Sequence, residues 1–132
     1  MSIAYLDSSA LVKLLVEEGE TSALEADLAD REGAVASSLA VVECQRAVRR
    51  AGNRRLLQRM EEVLEAIYLV DVTTPVLEQA SRLGPASIRS LDAIHIATAL
   101  SIDAEALDVV TYDDRMAEAA RMNGLRVAQP GR

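Results

Sequence analysis

Cysteine, tryptophan and phenylalanine are scarce or absent in this chain of 132 residues. Cys44 is the single cysteine, so no intrachain disulfide can form and a reducing compartment is expected. With three tyrosines as the only aromatic residues, an extended stacking platform for nucleobases is not expected. The first residues lack a basic cluster, and charges interrupt every apolar run well before the roughly 18 positions of a transmembrane helix. We therefore expect a soluble, cytoplasmic protein.

The remaining composition is typical of a folded domain. Half of the residues are hydrophobic and 27% are charged, which excludes the low hydrophobicity and high charge of a disordered chain. The length falls within the roughly 100 to 150 residues that are commonest for one domain. Residues 1–132 are therefore expected to form a single domain.

Lysine is also nearly absent, and the basic residues are unevenly distributed. The net charge of −7 argues against a non-specific nucleic-acid binder. Thirteen of the fourteen basic residues are arginine, however, and six of these lie in positions 46–59, a stretch without an acid. This stretch is either a solvated helical face or a patch that binds phosphate, because the planar guanidinium suits phosphate oxygens.

Short apolar runs alternate with helical patterns along the chain. Strands are expected at residues 3–6, 34–37, 68–72 and 109–111 and around Val127. Helices are expected at residues 10–18, 21–30, 39–66 with a break at 51–53, 74–83, 91–102 and 113–123. This alternation predicts an α/β fold in which a parallel sheet carries helices on both faces.

Four acidic residues occupy positions from which they could meet at one edge of that sheet. Asp7 follows the first strand and Asp113 follows the strand at 109–111, and the carboxyl ends of parallel strands are where ligands bind. Glu43 and Asp92 lie within helices that are otherwise apolar. Taken singly, each acid has a structural alternative, as a helix cap, at a helix N-terminus or in a surface ion pair between Glu43 and Arg46.

Together, four such carboxylates would repel each other, and several would take up protons unless a cation offset them. Oxygen ligands without a Cys–His cluster favour Mg²⁺ or Mn²⁺ over zinc. A divalent ion in such a site lowers the pKa of bound water and clamps phosphate oxygens, so attack of water on phosphorus is the expected chemistry. The chain has neither a Walker-type glycine-rich loop nor a Gly-x-Ser-x-Gly elbow.

Four blocks of sequence, in this order and spacing, resemble the PIN-domain nucleases, and among them the VapC-type toxins of bacterial toxin–antitoxin pairs. The blocks are YLDSSALVK at 5–13, SLAVVE at 38–43, SLDAIHIATA at 90–99 and VTYDDRM at 110–116. The resemblance extends from the first strand to the last. It implies a PIN-like three-layer sandwich around a central parallel sheet of about five strands, and a Mg²⁺- or Mn²⁺-dependent endoribonuclease.

The resemblance also implies roles for individual residues and partners. The acidic quartet of the family falls on Asp7, Glu43, Asp92 and Asp113. Asp7 and Asp92 match the primary metal ligands, while Glu43 and Asp113 match ligands that act through water or complete the shell. Thr111 matches a supporting hydroxyl. The family usually forms homodimers, and a cognate antitoxin of the VapB type covers the acidic groove.

The sequence allows more than one interpretation of several residues. Asp113 or its neighbour Asp114 could be the fourth acid, with Asp113 preferred by its place two residues after Thr111. Asp114 could instead form a capping box with Thr111. His95 could act as a general base, or it could be a partly buried histidine that hydrogen-bonds nearby backbone or supports Asp92, which lies one helical turn before it on the same face.

Further residues have a functional and a structural interpretation. Ser8 or Ser9 could orient Asp7. Tyr112 could contact a base or simply pack in the protein, and Cys44 is expected to be an inert core thiol. We hypothesise that substrate phosphate is bound near the metal by arginines of the helix that carries Glu43, namely Arg46, Arg49 or Arg50.

Three other classes of protein compete with a nuclease. A PIN fold without activity that only binds partners is the main alternative. A receiver domain needs paired acids after the first strand and a lysine after a late strand, whereas this chain has a lone Asp7 there and its only lysine, Lys13, in the first helix. A haloacid-dehalogenase-like phosphatase needs Asp-x-Asp where this chain has Asp7-Ser8-Ser9.

Overall fold

Five short strands and seven helices follow one another in the computed structural model, which describes residues 2–132. The strands are β1 (Ile3–Leu6), β2 (Gly33–Ser37), β3 (Tyr68–Val70), β4 (Leu107–Val110) and β5 (Arg126–Ala128). The helices are α1 (Ser8–Leu15), α2 (Thr21–Ala29), α3 (Leu39–Ala51), α4 (Arg54–Glu65), α5 (Thr74–Arg82), α6 (Ser90–Leu100) and α7 (Asp114–Met122). Among these residues, none of the helices has the length and hydrophobicity that a bilayer span requires.

All strand pairs of the sheet are parallel, in the order β3-β2-β1-β4-β5. The central strand β1 pairs with β2 on one side and with β4 on the other, so that Tyr5 lies between Val35 and Val109. The chain runs outward from β1 to β3, crosses back to β4 and continues outward to β5. The carboxyl ends of β1 and β4 therefore form the topological switch point of the sheet, where open α/β sheets bind ligands.

The two faces of the sheet are buried by different helices, because alternate residues of a strand point to opposite sides. Ala4 and Leu6 pack in one core with the apolar sides of α1, α2, α3 and α4. Tyr5 packs in the other core with α6 and α7, and α5 covers the outer side of α6. The predicted three-layer α/β sandwich with five parallel strands and helices on both faces is confirmed.

Hydrogen bonds that the sequence pattern does not reveal set several helix boundaries. Helix α1 ends at Leu15 and not at residue 18, because the Thr21 hydroxyl donates to the Lys13 carbonyl that a further helical turn would use. Side chains also cap the N-termini of two helices. Thr73 caps α5, and Asp7 caps α1.

The predicted break between α3 and α4 lies where it was expected. Gly52 ends α3 in the left-handed region with φ 62°, and the Asn53 side chain accepts from the Arg55 N–H to cap α4. A left-handed residue at a helix C-terminus favours glycine, which has no Cβ to strain.

Candidate active site

Asp7 lies at the centre of the carboxyl edge of the sheet, directly after β1. The residue is 4% exposed, and its carboxylate accepts hydrogen bonds from the Ser9 hydroxyl at 2.6 Å, the Ala10 backbone N–H at 3.0 Å and the Thr111 hydroxyl. Burial raises the pKa of Asp7 even though these donors favour the charged form. Asp7 therefore caps α1 and also offers a desolvated, firmly held carboxylate.

The loops that follow β1 and β4 are tied together around this carboxylate. The Thr111 hydroxyl, which donates to Asp7, accepts from the Asp113 backbone N–H at 3.1 Å. The Ser9 hydroxyl accepts from the Tyr112 backbone N–H at 2.9 Å. Of the two serines considered for Asp7, Ser9 is the one that contacts it.

Glu43 reaches the same edge from α3 and is oriented by two side chains. Its carboxylate oxygens lie 3.0 Å from the Ser8 hydroxyl, which donates, and 2.8 Å from His95 Nε2. Partial burial acts to raise the pKa of Glu43, but the His95 contact and the Ser8 hydrogen bond outweigh burial and hold the pKa below its usual value. The surface ion pair between Glu43 and Arg46 that the sequence allows is not formed among residues 2–132.

His95 is buried between Glu43 and the tyrosine of β1. Its Nδ1 lies 2.8 Å from the Tyr5 hydroxyl, which burial keeps protonated by raising its pKa and which can donate to the neutral imidazole. His95 Nε2–H can then donate to Glu43. The ring hydrogen-bonds neither nearby backbone nor Asp92, because its two nitrogens are engaged by Tyr5 and Glu43. The Tyr5 contribution had no signal in the sequence beyond its place in the first block.

Asp92 and Asp113 complete the acidic group at this edge. Asp92 lies in the first turn of α6, and Asp113 caps α7 by accepting from the Arg115 and Met116 backbone N–H groups at 2.9 Å and 3.4 Å. Burial and the negative charges of Asp113 and Asp7 raise the pKa of Asp92. No side chain caps α6, so the Asp92 carboxylate is not used for helix capping.

The neighbour of Asp113 points elsewhere. Asp114 is largely exposed, and its carboxylate lies 3.4 Å from an Arg132 guanidinium nitrogen. The capping box of Thr111 with Asp114 is not formed, since Asp113 is the cap of α7 and the Thr111 hydroxyl is bound to Asp7.

Comparison with known proteins places the chain in a family. Residues 4–122 match the PIN domain family. This chain belongs to that family.

Two curated relatives, both from Mycobacterium tuberculosis, resemble this PIN domain over nearly their whole length. The ribonuclease VapC47 is 40% identical over 131 residues, which cover 96% of each chain. The ribonuclease VapC46 is 41% identical over 137 residues, which cover 98% of this chain and 99% of the relative. A toxin–antitoxin complex from Klebsiella pneumoniae contains a chain with the same fold, with a TM-score of 0.73 at 20% identity, covering 96% of this chain and 97% of that one. The resemblance inferred from the four sequence blocks is confirmed.

The donor set of this PIN domain fits a hard divalent cation in its chemistry. The candidate ligands are carboxylates, and a cation between them would relieve the repulsion that adds to burial in raising the pKa of Asp92. In the part of the chain that the structure describes, no three His, Cys, Asp or Glu side chains already form a group that could hold a metal ion.

Two of the three candidate arginines lie beside the acids of the PIN domain. Arg46 and Arg50 line an open depression of about 320 Å³ together with Ser8 and Glu43. Positions 43, 46 and 50 share one face of α3, whereas Arg49 points away from it and lines a different depression with Gly52 and Arg54. Of the three arginines considered for binding substrate phosphate, Arg46 and Arg50 therefore remain candidates.

Tyr112 is packed and does not present its ring to the site. The ring centroid lies 5.1 Å from Lys13 Nζ and 5.5 Å from Arg132 Cζ, and its hydroxyl donates to the Pro130 carbonyl at 2.8 Å. The side chain is 6% exposed. Tyr112 therefore packs within the protein and is not placed to contact a base.

Proposed function

We propose that this PIN domain is a divalent-metal-dependent endoribonuclease and the toxin of a toxin–antitoxin pair. The observations that support the proposal are electrostatic and geometric: Asp113 and Asp7 act on the pKa of Asp92 after burial, and Ser8, the residue that follows Asp7, holds Glu43. Full-length relatives named as ribonucleases, at 40% and 41% identity, support RNA as the substrate.

Each acid has a distinct part in the proposed reaction. Asp7 and Asp92 are the primary ligands, and Glu43 and Asp113 act through water or complete the shell. Bound there, Mg²⁺ or Mn²⁺ would activate water for attack on a phosphodiester and offset the charge of the phosphate.

The surrounding residues keep these acids in place and in the right charge state. Thr111 and Ser9 fix the two oxygens of Asp7. His95 and Ser8 keep Glu43 ionised and oriented, so that it can order water beside the reacting phosphate.

The decisive test replaces single carboxylates by amides. Asp7→Asn and Asp92→Asn should each abolish RNA cleavage in Mg²⁺ or Mn²⁺, while the circular dichroism spectrum and cooperative unfolding are retained. Asp113→Asn should lower activity strongly, and the matched control Asp114→Asn should not, because Asp114 faces Arg132. Full activity of either Asp7→Asn or Asp92→Asn would overturn the assignment. A wild-type protein that cleaves no RNA in either metal would favour the alternative, an inactive PIN domain that binds partners.

Arg46 and Arg50 are proposed to bind phosphate of the RNA substrate. Both line the depression that contains Glu43, and a guanidinium forms paired hydrogen bonds with phosphate oxygens. Arg46→Glu and Arg50→Glu should weaken cleavage and flatten its dependence on salt concentration. Arg49→Glu makes the same change of charge on another face of α3 and serves as the control. Equal effects of all three variants would remove the assignment of a specific contact.

The proposed partner is an antitoxin of the VapB type that occludes the acidic groove, and the expected assembly is a homodimer that acts in the cytoplasm. The shared fold with a chain of a toxin–antitoxin complex supports the partner. Expression with and without the neighbouring open reading frame tests it. Growth arrest that the neighbour relieves, with RNA ends that carry 5′-phosphates, is the expected result, and arrest that the neighbour does not relieve would contradict it.

A further inference from the structure

A second arginine-bearing depression lies on the other side of the acidic group, between α6 and α7. It has a volume of about 250 Å³, and Asp92 forms part of its wall. Arg89 and Arg115 line it from the two helices, Ala119 and Met122 supply an apolar wall, and Glu118 is a second acid in the lining besides Asp92. Because Asp92 belongs both to the acidic group and to this wall, the depression is continuous with the candidate active site.

The two guanidinium groups in this depression are available to a ligand. Both side chains are exposed, and within residues 2–132 no carboxylate lies within 4 Å of either one. Arg89 occupies the cap position of α6, and its charge acts on Asp92. Arg115 is in the first turn of α7, two positions after Asp113, and its backbone N–H is bound by the Asp113 carboxylate. Each arginine is thus anchored beside one of the acids.

The acids therefore lie between two depressions that each carry a pair of arginines. Arg46 and Arg50 are on the side of Glu43, and Arg89 and Arg115 are on the side of Asp92. An RNA chain that is cut internally continues covalently on both sides of the reacting phosphodiester. A strand bound at Asp92 must consequently leave the site through both neighbouring surfaces, and positive charge on each would hold its flanking phosphates.

We infer that the depression of Arg89 and Arg115 is a second phosphate subsite, which holds RNA on the side of the reacting phosphodiester opposite to Arg46 and Arg50. The two guanidinium groups bind a flanking phosphate, and the wall of Ala119 and Met122 packs against the neighbouring nucleoside. Met122 is 59% exposed, which leaves it free for such a contact. This inference rests on the proposed ribonuclease function.

The test combines charge-neutral variants with substrates that are shortened from one end at a time. Arg89→Gln and Arg115→Gln, singly and together, are compared in kcat and KM on single-stranded oligoribonucleotides that share one cleavage site. We expect the double variant to lose at least about tenfold in kcat/KM, mainly through KM. The slope of log(kcat/KM) against log salt should fall by about 0.7 for each phosphate that the variant no longer binds.

Substrate length distinguishes a subsite from a general effect of charge. Removal of nucleotides from one end of the substrate should slow wild-type cleavage but have little further effect on the double variant. Removal of nucleotides from the other end should also slow wild-type cleavage, but it should have little further effect on the Arg46→Gln/Arg50→Gln variant. Arg121→Gln removes an exposed charge from α7 outside this depression and should match wild type throughout.

Two results would overturn the inference while the proposed function stands. One is a wild-type enzyme that cleaves RNA, loses activity on Asp7→Asn and is unaffected by the Arg89→Gln/Arg115→Gln change. The other is a double variant that cleaves normally but resists inhibition by its protein partner, which would make the depression a protein-docking site. Absence of cleavage by the wild type would overturn the proposed function and this inference together.

Discussion

Asp7 is a deeply buried carboxyl group, and this has a consequence for stability. Its pKa is raised in the folded protein, and so is that of Asp92, whereas both have ordinary pKa values in the unfolded chain. The folded state therefore binds protons more tightly at these positions. The stabilisation that results is fully present below the ordinary aspartate pKa and is lost as the pH rises through the folded values.

We predict that the metal-free protein becomes more stable as the pH is lowered from neutrality towards the ordinary pKa range of carboxyl groups. Glu43 has a lowered pKa and acts in the opposite direction, but only at more acidic pH. Thermal unfolding in a chelating buffer across this range measures the effect. Asp7→Asn and Asp92→Asn should each flatten the pH dependence, and an unchanged slope in both variants would contradict the prediction.

The hydroxyl of Tyr5 is the buried end of the chain of hydrogen bonds that orients Glu43. Tyr5→Phe leaves His95 Nδ1 without its donor in an apolar core and should destabilise the protein by about 1 to 3 kcal/mol. Because His95 then holds Glu43 less firmly, cleavage should also slow. Urea denaturation and kcat measure the two effects. Tyr68→Phe removes the same hydroxyl from a side chain that is 71% exposed, and its midpoint should match wild type.

Helix α3 carries Glu43, Arg46 and Arg50, so its connection to α4 bears on the site. Gly52 makes this connection at φ 62°, and no atom lies within 4 Å of the position that an alanine methyl group would occupy there. Gly52→Ala should therefore destabilise the protein by about 1 to 2 kcal/mol through backbone strain alone. Gly19→Ala, at a turn without positive φ and also with free space, should be neutral or slightly stabilising. Equal unfolding midpoints for the two variants would contradict this account.

Helix capping and a place in the acidic group are compatible at the ends of β1 and β4. From the sequence, a helix cap and a site carboxylate are competing interpretations of Asp7 and of Asp113. In the structure both residues cap the following helix and lie in the acidic group. The reason is geometric, because the helix that follows a parallel strand begins at the carboxyl edge, where ligands bind.

Local patterns predict the elements better than the contacts between them. The alternation of apolar runs and helical patterns was sufficient to predict a parallel sheet with helices on both faces. The contact of His95 with Glu43 joins residues 52 positions apart on α6 and α3, and nothing in the periodicity of either helix specifies it. Arg49 and Arg50 are adjacent residues of the same type, so the sequence does not show which of them lies beside Glu43. Only the orientation of α3 shows that it is Arg50.

For the whole molecule, the net charge of −7 conceals a local arrangement of opposite charges. The acidic group at the switch point lies between depressions that carry Arg46 and Arg50 on one side and Arg89 and Arg115 on the other. An acidic composition is therefore compatible with a polyanionic substrate, since charge near the site and not the total charge acts on a bound strand.

Binding of a divalent ion should stabilise the entire fold. A ligand at a hundred times its Kd, bound only by the native state, adds about 2.7 kcal/mol to the free energy of unfolding. Mg²⁺ or Mn²⁺ should raise the unfolding temperature at pH 7.5 and do so less at pH 5, where protons compete for the acids. The double variant Asp7→Asn/Asp92→Asn should lose this shift and Asp114→Asn should keep it. An equal shift in the double variant would place the ion elsewhere.

Reaction of the single thiol of the protein can be used to measure how often its interior opens. Cys44 is fully buried beside Glu43 on α3, and burial raises its pKa to about 11, so the native thiol is hidden and protonated at neutral pH. A disulfide reagent can react only when α3 separates from the layer beneath it. The rate of labelling consequently measures how often α3, which forms a wall of the acidic groove, separates from that layer. No engineered probe is needed.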